Sequence, residues 1–226
     1  MIIAIDGTAG SGKSTTARLV ARKLNFLHID TGAMYRAAAY AVLKNNIDPD
    51  DKSTVEELVE GLKIRLQQND EIQVLLNDKP VTDKIRSPEV TAIVSTVSSY
   101  DGVRRKLVKE QREMGKARDV VLEGRDIGTV VFPEADVKLF FIADIEERVR
   151  RRCHDMIEQG EKVDFDTLLT DIKSRDRLDS TRKASPLKKA EDAITIDTSN
   201  LTIDEQVEKV LSLISKKQSD KPSVKE

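Results

Sequence analysis

Gly7, Thr8, Ala9, Gly10, Ser11, Gly12, Lys13 and Ser14 form the densest piece of chemistry in the chain. They fit G-x-x-x-x-G-K-[ST], in which glycines let the backbone curl round a phosphate and aim its amide hydrogens at the oxygens. A helix starting beyond the loop adds its N-terminal dipole. Lys13 is then placed to reach the β and γ phosphates. The Ser14 hydroxyl is placed to ligate Mg²⁺ directly or through water, and Thr15 completes the run. Such a loop speaks for a nucleoside triphosphate and is silent on what receives the phosphate. A kinase, an NTPase and a motor all remain open.

Other charged groups are spaced as a second site would need. Asp30 and Arg36 lie just beyond a second short strand expected over 26–29, and Arg36 could pair with a phosphate. Arg125 and Asp126 stand between Gly124 and Gly128, a setting that folding needs do not explain. Arg125 suits phosphate recognition. Asp126 could accept from an exocyclic amine or from a second arginine, or hold metal-bound water. Arg148, Arg150, Arg151 and Arg152 form one dense run; Arg175, Asp176, Arg177, Asp179 and Arg182 form another. Some of these belong to solvated helix faces. Phosphoryl transfer, however, asks mainly for positive charge round the moving group and for exclusion of water. Arginines on mobile helices that close over two ligands meet that need, through a planar fork that lysine lacks.

The elements that must hold these groups alternate. Strands are expected over 1–5, 26–29, 120–123, 137–142 and 193–197. Helices are expected over 14–24, 33–43, 53–62, 89–98, 103–115, 144–159, 165–178 and 202–214, and a frayed tail over 216–226. Asp144 with Glu147 and Thr202 with Glu205 read as capping boxes. Short extended pieces at 64–68, 72–76 and 80–82, turned at Asn69-Asp70 and at 77–79, suggest a small antiparallel insertion. Alternation of strand and helix argues for a parallel sheet flanked by helices, with ligands outside the carboxyl ends of the strands. The loops at 7–14, 30–36 and 124–129 all fall on that edge.

Composition narrows the classes. Charged residues are 35% and hydrophobic ones 38%, so a charged surface covers an aliphatic core rather than a disordered chain. The formal charge of -2 argues against a broad nucleic-acid face. The lack of aromatic-basic interleaving argues against a helicase. Cys153 is the lone cysteine, which removes intrachain disulfides and thiolate zinc sites. His28 reads as core or edge filler and His154 as a mid-helix structural residue, which leaves no evident general base. An acceptor that is already a phosphate oxygen needs none. No apolar run approaches the ~20 residues of a membrane span. The N-terminal run is too short for a signal peptide, so the expected place is the cytoplasm.

Five segments carry a closer resemblance. GTAGSGKST at 7–15, IDTGAMYR at 29–36, SPEVTAIVSTVSSYDGVRRKL at 87–107, LEGRDIGTVVFP at 122–133 and IKSRDRLDSTRKASPL at 172–187 resemble, in order and spacing, the bacterial cytidylate kinases. That resemblance implies a single P-loop kinase domain over 1–226, with a five-stranded parallel sheet. It implies a monophosphate-binding arm over 53–100 with a β insertion near 64–82, and a lid over 148–175. It implies ATP and Mg²⁺ as cofactors, CMP and dCMP as acceptors, and a monomer. By the same resemblance Thr31 and Arg36 take the acceptor, with Arg36 on its phosphate. Ser95, Arg104 and Asp126 read cytosine, and Arg125 contacts the acceptor phosphate. Arg175 and Asp179 lie near the sugar hydroxyls, and Arg182 near the phosphates. Lys13, Arg148, Arg152 and Arg182 are the catalytic candidates. Thr31 stands where many members have Ser, which keeps the hydroxyl. The rivals are a kinase for another small acceptor, such as UMP or shikimate, and a regulatory NTPase or nucleotide-binding module.

Overall fold

Ile2 to Ile5 is aliphatic without alternation, which suits a strand covered on both faces. The computed structural model describes residues 1–68, 72–116, 118–158, 160 and 163–219, and places that strand, β1 (Ile2–Gly7), at the centre of a sheet. The other members are β2 (Leu27–Asp30), β6 (Val120–Gly124), β7 (Val137–Ile142) and β8 (Ile194–Asp197), in the order β2-β6-β1-β7-β8 and all parallel. The expected five-stranded parallel sheet is therefore present.

Successive side chains leave a strand on opposite faces. Ile3, Ile5 and Val121 join one core, packed under α1 (Lys13–Leu24) and α8 (Ile203–Ser219). Ala4, Val120 and Leu122 join the other, under α2 (Thr31–Lys44), α3 (Lys52–Glu60), α4 (Pro88–Val97) and α5 (Asp101–Gly115). The alanines of α2, buried at 37, 38, 39 and 41, let that helix lie close to the sheet. The remaining helices are α6 (Ile145–Glu158) and α7 (Phe165–Thr181), which pack on each other.

The insertion is the expected antiparallel trio: β3 (Ile64–Gln68), β4 (Ile72–Leu76) and β5 (Lys79–Pro80). Asn77 and Asp78 turn β4 into β5 with φ of 49° and 62°, the pair of left-handed residues that a tight hairpin requires. The turn expected at Asn69-Asp70 and the tail beyond 219 lie outside the described residues.

Several helix starts differ from expectation, each for a local reason. α2 begins at Thr31, because the Asp30 carboxylate accepts from the Ala33 amide at 2.9 Å and caps it earlier. Asp51, not Ser53, caps α3 through the Thr54 amide. No capping bond joins Asp144 and Glu147 among the described residues; the Glu147 carboxylate takes Arg150 and Arg151 instead. Thr202 and Glu205 do form their reciprocal cap, at 2.8 and 3.3 Å. Residues 124–129 are not a plain loop, since Ile127–Val131 winds into a π-helical turn.

Candidate active site

The phosphate loop joins β1 to α1 at the carboxyl edge of the sheet. Its glycines answer to geometry. Gly12 sits at φ 83°, in the left-handed region, and a Cβ there would meet the Gln206 Oε1 at 2.6 Å. A Cβ on Gly7 would lie 2.3 Å from the Phe141 carbonyl oxygen. The loop is tied down from several sides. Ser11 Oγ donates to the Thr8 carbonyl at 2.9 Å, Thr198 Oγ1 donates to the Ser11 carbonyl at 2.9 Å, and Thr16 Oγ1 donates to Gln206 Oε1 at 2.8 Å.

Lys13 is buried, with its Nζ 3.3 Å from the Thr8 carbonyl oxygen. Its pKa is pushed down to about 7, by burial first and then by the Arg125 guanidinium, with Glu123 opposing. The Ser14 hydroxyl donates to the Glu123 carboxylate. Glu123 is buried at the end of β6. Burial favours its neutral form, yet His28, Lys13 and Ser14 together hold it below the usual carboxylate range. A hydroxyl at a helix start beside a buried carboxylate is a donor set that suits Mg²⁺, which takes few protein ligands and keeps its waters and substrate phosphates. The described residues contain no cluster of three or more His, Cys, Asp or Glu that could form an all-protein cage.

Thr31, Ser95, Arg104, Arg125, Asp126, Arg175, Asp179 and Arg182, from four helices and the 124–126 segment, line one cavity of about 60 Å³. Arg125 donates from Nε to Asp179 at 2.8 Å. Arg104 pairs with Asp126, donates to the Ser98 carbonyl at 3.0 Å, and lies 5.1 Å over the Tyr35 ring. Arg182 stands 3.9 Å from both Asp126 and Asp179. Thr31 Oγ1 donates to the Glu123 carbonyl at 2.7 Å. A groove of about 550 Å³ along the outer side of α5 is far larger, but it holds neither Lys13 nor Arg125.

The cations outnumber their partners. Burial and nearby guanidinium groups push Arg175 down to about 10 and Arg36 down to about 9. For Asp179 burial favours the acid, but Arg125, Arg175 and Arg182 win and hold it ionised below its usual range. A buried excess of guanidinium charge is arranged to receive an anion.

Arg36 is outside the lining of this cavity. It donates to Thr91 Oγ1 at 2.8 Å while its charge is felt with those of Arg175 and Arg152. Arg148 is committed elsewhere: its guanidinium donates to the carbonyls of Ala143 and Ala9, both at 3.1 Å, and to Asp176 at 2.6 Å. It braces the phosphate loop against α7. Reading the sequence missed Glu123, which passed as the last residue of a strand. It also missed Asp6, whose buried carboxylate accepts from the Ile127 and Gly128 amides at 2.8 Å each. Both are acids ending a core strand at the ligand edge, a signal the sequence did carry.

A second cavity, about 380 Å³, lies between residues 144–150 and Ser199-Asn200. It adjoins the phosphate loop through Thr198, which also accepts from Arg151 at 2.6 Å through its carbonyl. No helix of the described residues is long and apolar enough to cross a membrane.

The chain's likenesses agree with this geometry. The family model described as Cytidylate kinase matches residues 3–216. A cytidylate kinase of Halalkalibacterium halodurans is 46% identical over 218 residues, covering 96% of this chain and 98% of its own. Those of Carboxydothermus hydrogenoformans and Caldicellulosiruptor bescii are 47% and 48% identical. They span 96% and 95% of this chain, and 98% and 95% of their own. Among solved structures, an uncharacterized protein from Eubacterium ventriosum superposes with a TM-score of 0.52 at 15% identity, covering 95% of this chain and 98% of that one. At that identity it speaks for the fold alone.

Proposed function

The chain belongs to the cytidylate kinase family, and on that premise we propose how its side chains divide the work of a kinase that moves the γ-phosphoryl group of ATP to CMP or dCMP. The loop amides and Lys13 hold the donor phosphates. The purine lies in the cavity of about 380 Å³ beside Ser199. Ser14, directly or through water, and Glu123 beside it would hold Mg²⁺. Bound there, the ion would supply positive charge against the donor phosphates.

The acceptor enters the arginine-lined cavity. Arg36, Arg125 and Arg182 hold its phosphate in line with the donor, so that an acceptor oxygen bonds to the γ phosphorus as the bond to ADP breaks. Arg104, Asp126 and Ser95 face the cytosine, with Asp126 accepting from the ring amine. Asp179 and Arg175 face the sugar. Arg152 and Arg175 neutralise charge on the transferring group, and Arg148 keeps the loop in register with α7. The acceptor phosphate is an anion at neutral pH, so no side chain has to remove a proton before attack.

The observation that carries this reading is the buried, under-compensated group of guanidiniums facing Lys13. A cavity of about 60 Å³ is far below the ~300–1,000 Å³ of ligand pockets, so the arm over 53–100 and the lid over 148–175 open to admit the acceptor. A monomer working in the cytoplasm is part of the same proposal. The test is release of ADP from ATP and Mg²⁺ with a panel of acceptors. CMP and dCMP should turn over well above UMP and shikimate. Equal, slow hydrolysis with every acceptor would instead fit an NTPase.

A further inference from the structure

His28 and Asp30 leave β2 on the same face, and Glu123 lies beside Asp30 in the register of β6. That face is the one that carries Ser14. Within it the two oxygens of Glu123 are divided: Oε2 accepts from the Ser14 hydroxyl, and Oε1 lies 3.4 Å from His28 Nε2. Both Glu123 and His28 are buried, at 2% and 4% exposure, so neither exchanges its partner freely with water. A glutamate has one more rotatable bond than an aspartate, and a carboxylate on so long a stem needs a second grip to keep one oxygen aimed at the serine.

We propose that His28 is a positioning residue for the Mg²⁺ site, its Nε2 holding Oε1 of Glu123 so that Oε2 stays directed at the Ser14 hydroxyl. The inference rests on the metal reading of Ser14 given above. His28 does not line the arginine-lined cavity proposed for the acceptor, so its influence should fall on metal-assisted nucleotide binding more than on acceptor recognition. Its reach matters. Glutamine can carry an amide N–H about as far as Nε2, whereas asparagine stops near the position of Nδ1. Phenylalanine fills the space of the ring with no donor.

The test is equilibrium binding of a fluorescent ADP analogue to the full chain, with and without Mg²⁺, compared across wild type, His28→Gln, His28→Asn and His28→Phe. The quantity read is the factor by which Mg²⁺ tightens the nucleotide. It should shrink about ten-fold or more in His28→Asn and His28→Phe, stay near wild type in His28→Gln, and leave metal-free binding unchanged. In turnover, the Mg²⁺ concentration giving half-maximal rate should rise while KM for CMP holds. The idea is overturned if His28→Asn keeps the full Mg²⁺ effect. It is equally overturned if all three variants weaken binding alike with and without metal, the mark of a purely structural role. If wild type itself shows no Mg²⁺ effect and Ser14→Ala changes nothing, the metal reading fails and this inference goes with it.

Discussion

Lys13 keeps its ammonium where burial and Arg125 oppose it, which puts its pKa at about 7 against 10.5 for an ordinary lysine. Between those two values the unfolded chain holds a proton that the folded chain has released. Stability therefore rises with pH across that window, and the full penalty applies below it. Replacing the residue by Met should lower turnover roughly 100-fold or more, since the donor phosphates lose their cation. The same variant should be more stable than wild type at about pH 6, by on the order of 1–3 kcal/mol, with the gap narrowing as pH rises. Urea midpoints at the two ends of the range check the sign. The phosphates of ATP should draw the proton back, so binding at about pH 8 takes up protons. Calorimetric heats that do not vary with the buffer's ionisation enthalpy would contradict this. Asp126 offers a second residue-level test. Asp126→Asn keeps the shape but trades one acceptor for a donor facing Arg104 and, in the proposed site, the cytosine amine. It should cost about 10- to 100-fold in kcat/KM for CMP with little change in KM for ATP.

The π-helical turn at Ile127–Val131 is the element that aims Asp126, and a strand behind it sets its place. Asp6, at the end of β1, accepts both the Ile127 and Gly128 amides, and burial lifts its pKa to about 6 although those two bonds pull the other way. Asp6→Asn leaves one of the two amides without an acceptor, at a cost of about 1–3 kcal/mol. The turn should loosen, so KM for CMP should rise more than KM for ATP; an equal change in both would place the effect in the phosphate loop. This turn also shows what the sequence could and could not say. Gly124 to Thr129 was legible as a functional segment from its charges, but its winding depends on a carboxylate 121 residues away in the chain. The five core strands were legible because each is a short segment rich in apolar residues between helical patterns, and the Thr202 cap because its partner lies one turn on. The cap expected between Asp144 and Glu147 did not form because Arg150 and Arg151, one turn further on, compete for the same carboxylate. The arginines were legible as a group. Only packing tells Arg148, spent on Ala9 and Asp176, from Arg175, turned into the cavity.

At the scale of the whole molecule, α7 is the member that links the arginine-lined cavity to the phosphate loop. Arg175, Asp179 and the following Arg182 face the acceptor cavity, while Asp176 on the same helix grips Arg148, whose guanidinium also holds the Ala9 carbonyl of the phosphate loop. If the phosphate loop and α7 close on ATP and CMP as proposed above, movement of the one reaches the other through Arg148 and Asp176. Binding of either ligand should favour the closed position that the other needs, so each should tighten the other by the same factor. A factor of roughly 5 to 150 is the usual range for such coupling. Asp176→Asn keeps the helix and the acceptor residues but weakens the charged link. In that variant the affinity for CMP, measured with and without a non-hydrolysable ATP analogue, should change by less than about 2-fold on adding the analogue, while the affinity for CMP alone stays within about 3-fold of wild type. Wild-type coupling surviving in Asp176→Asn would show that the two halves communicate by another route, for which Arg125, bonded to Asp179 and sensed by Lys13, is a candidate.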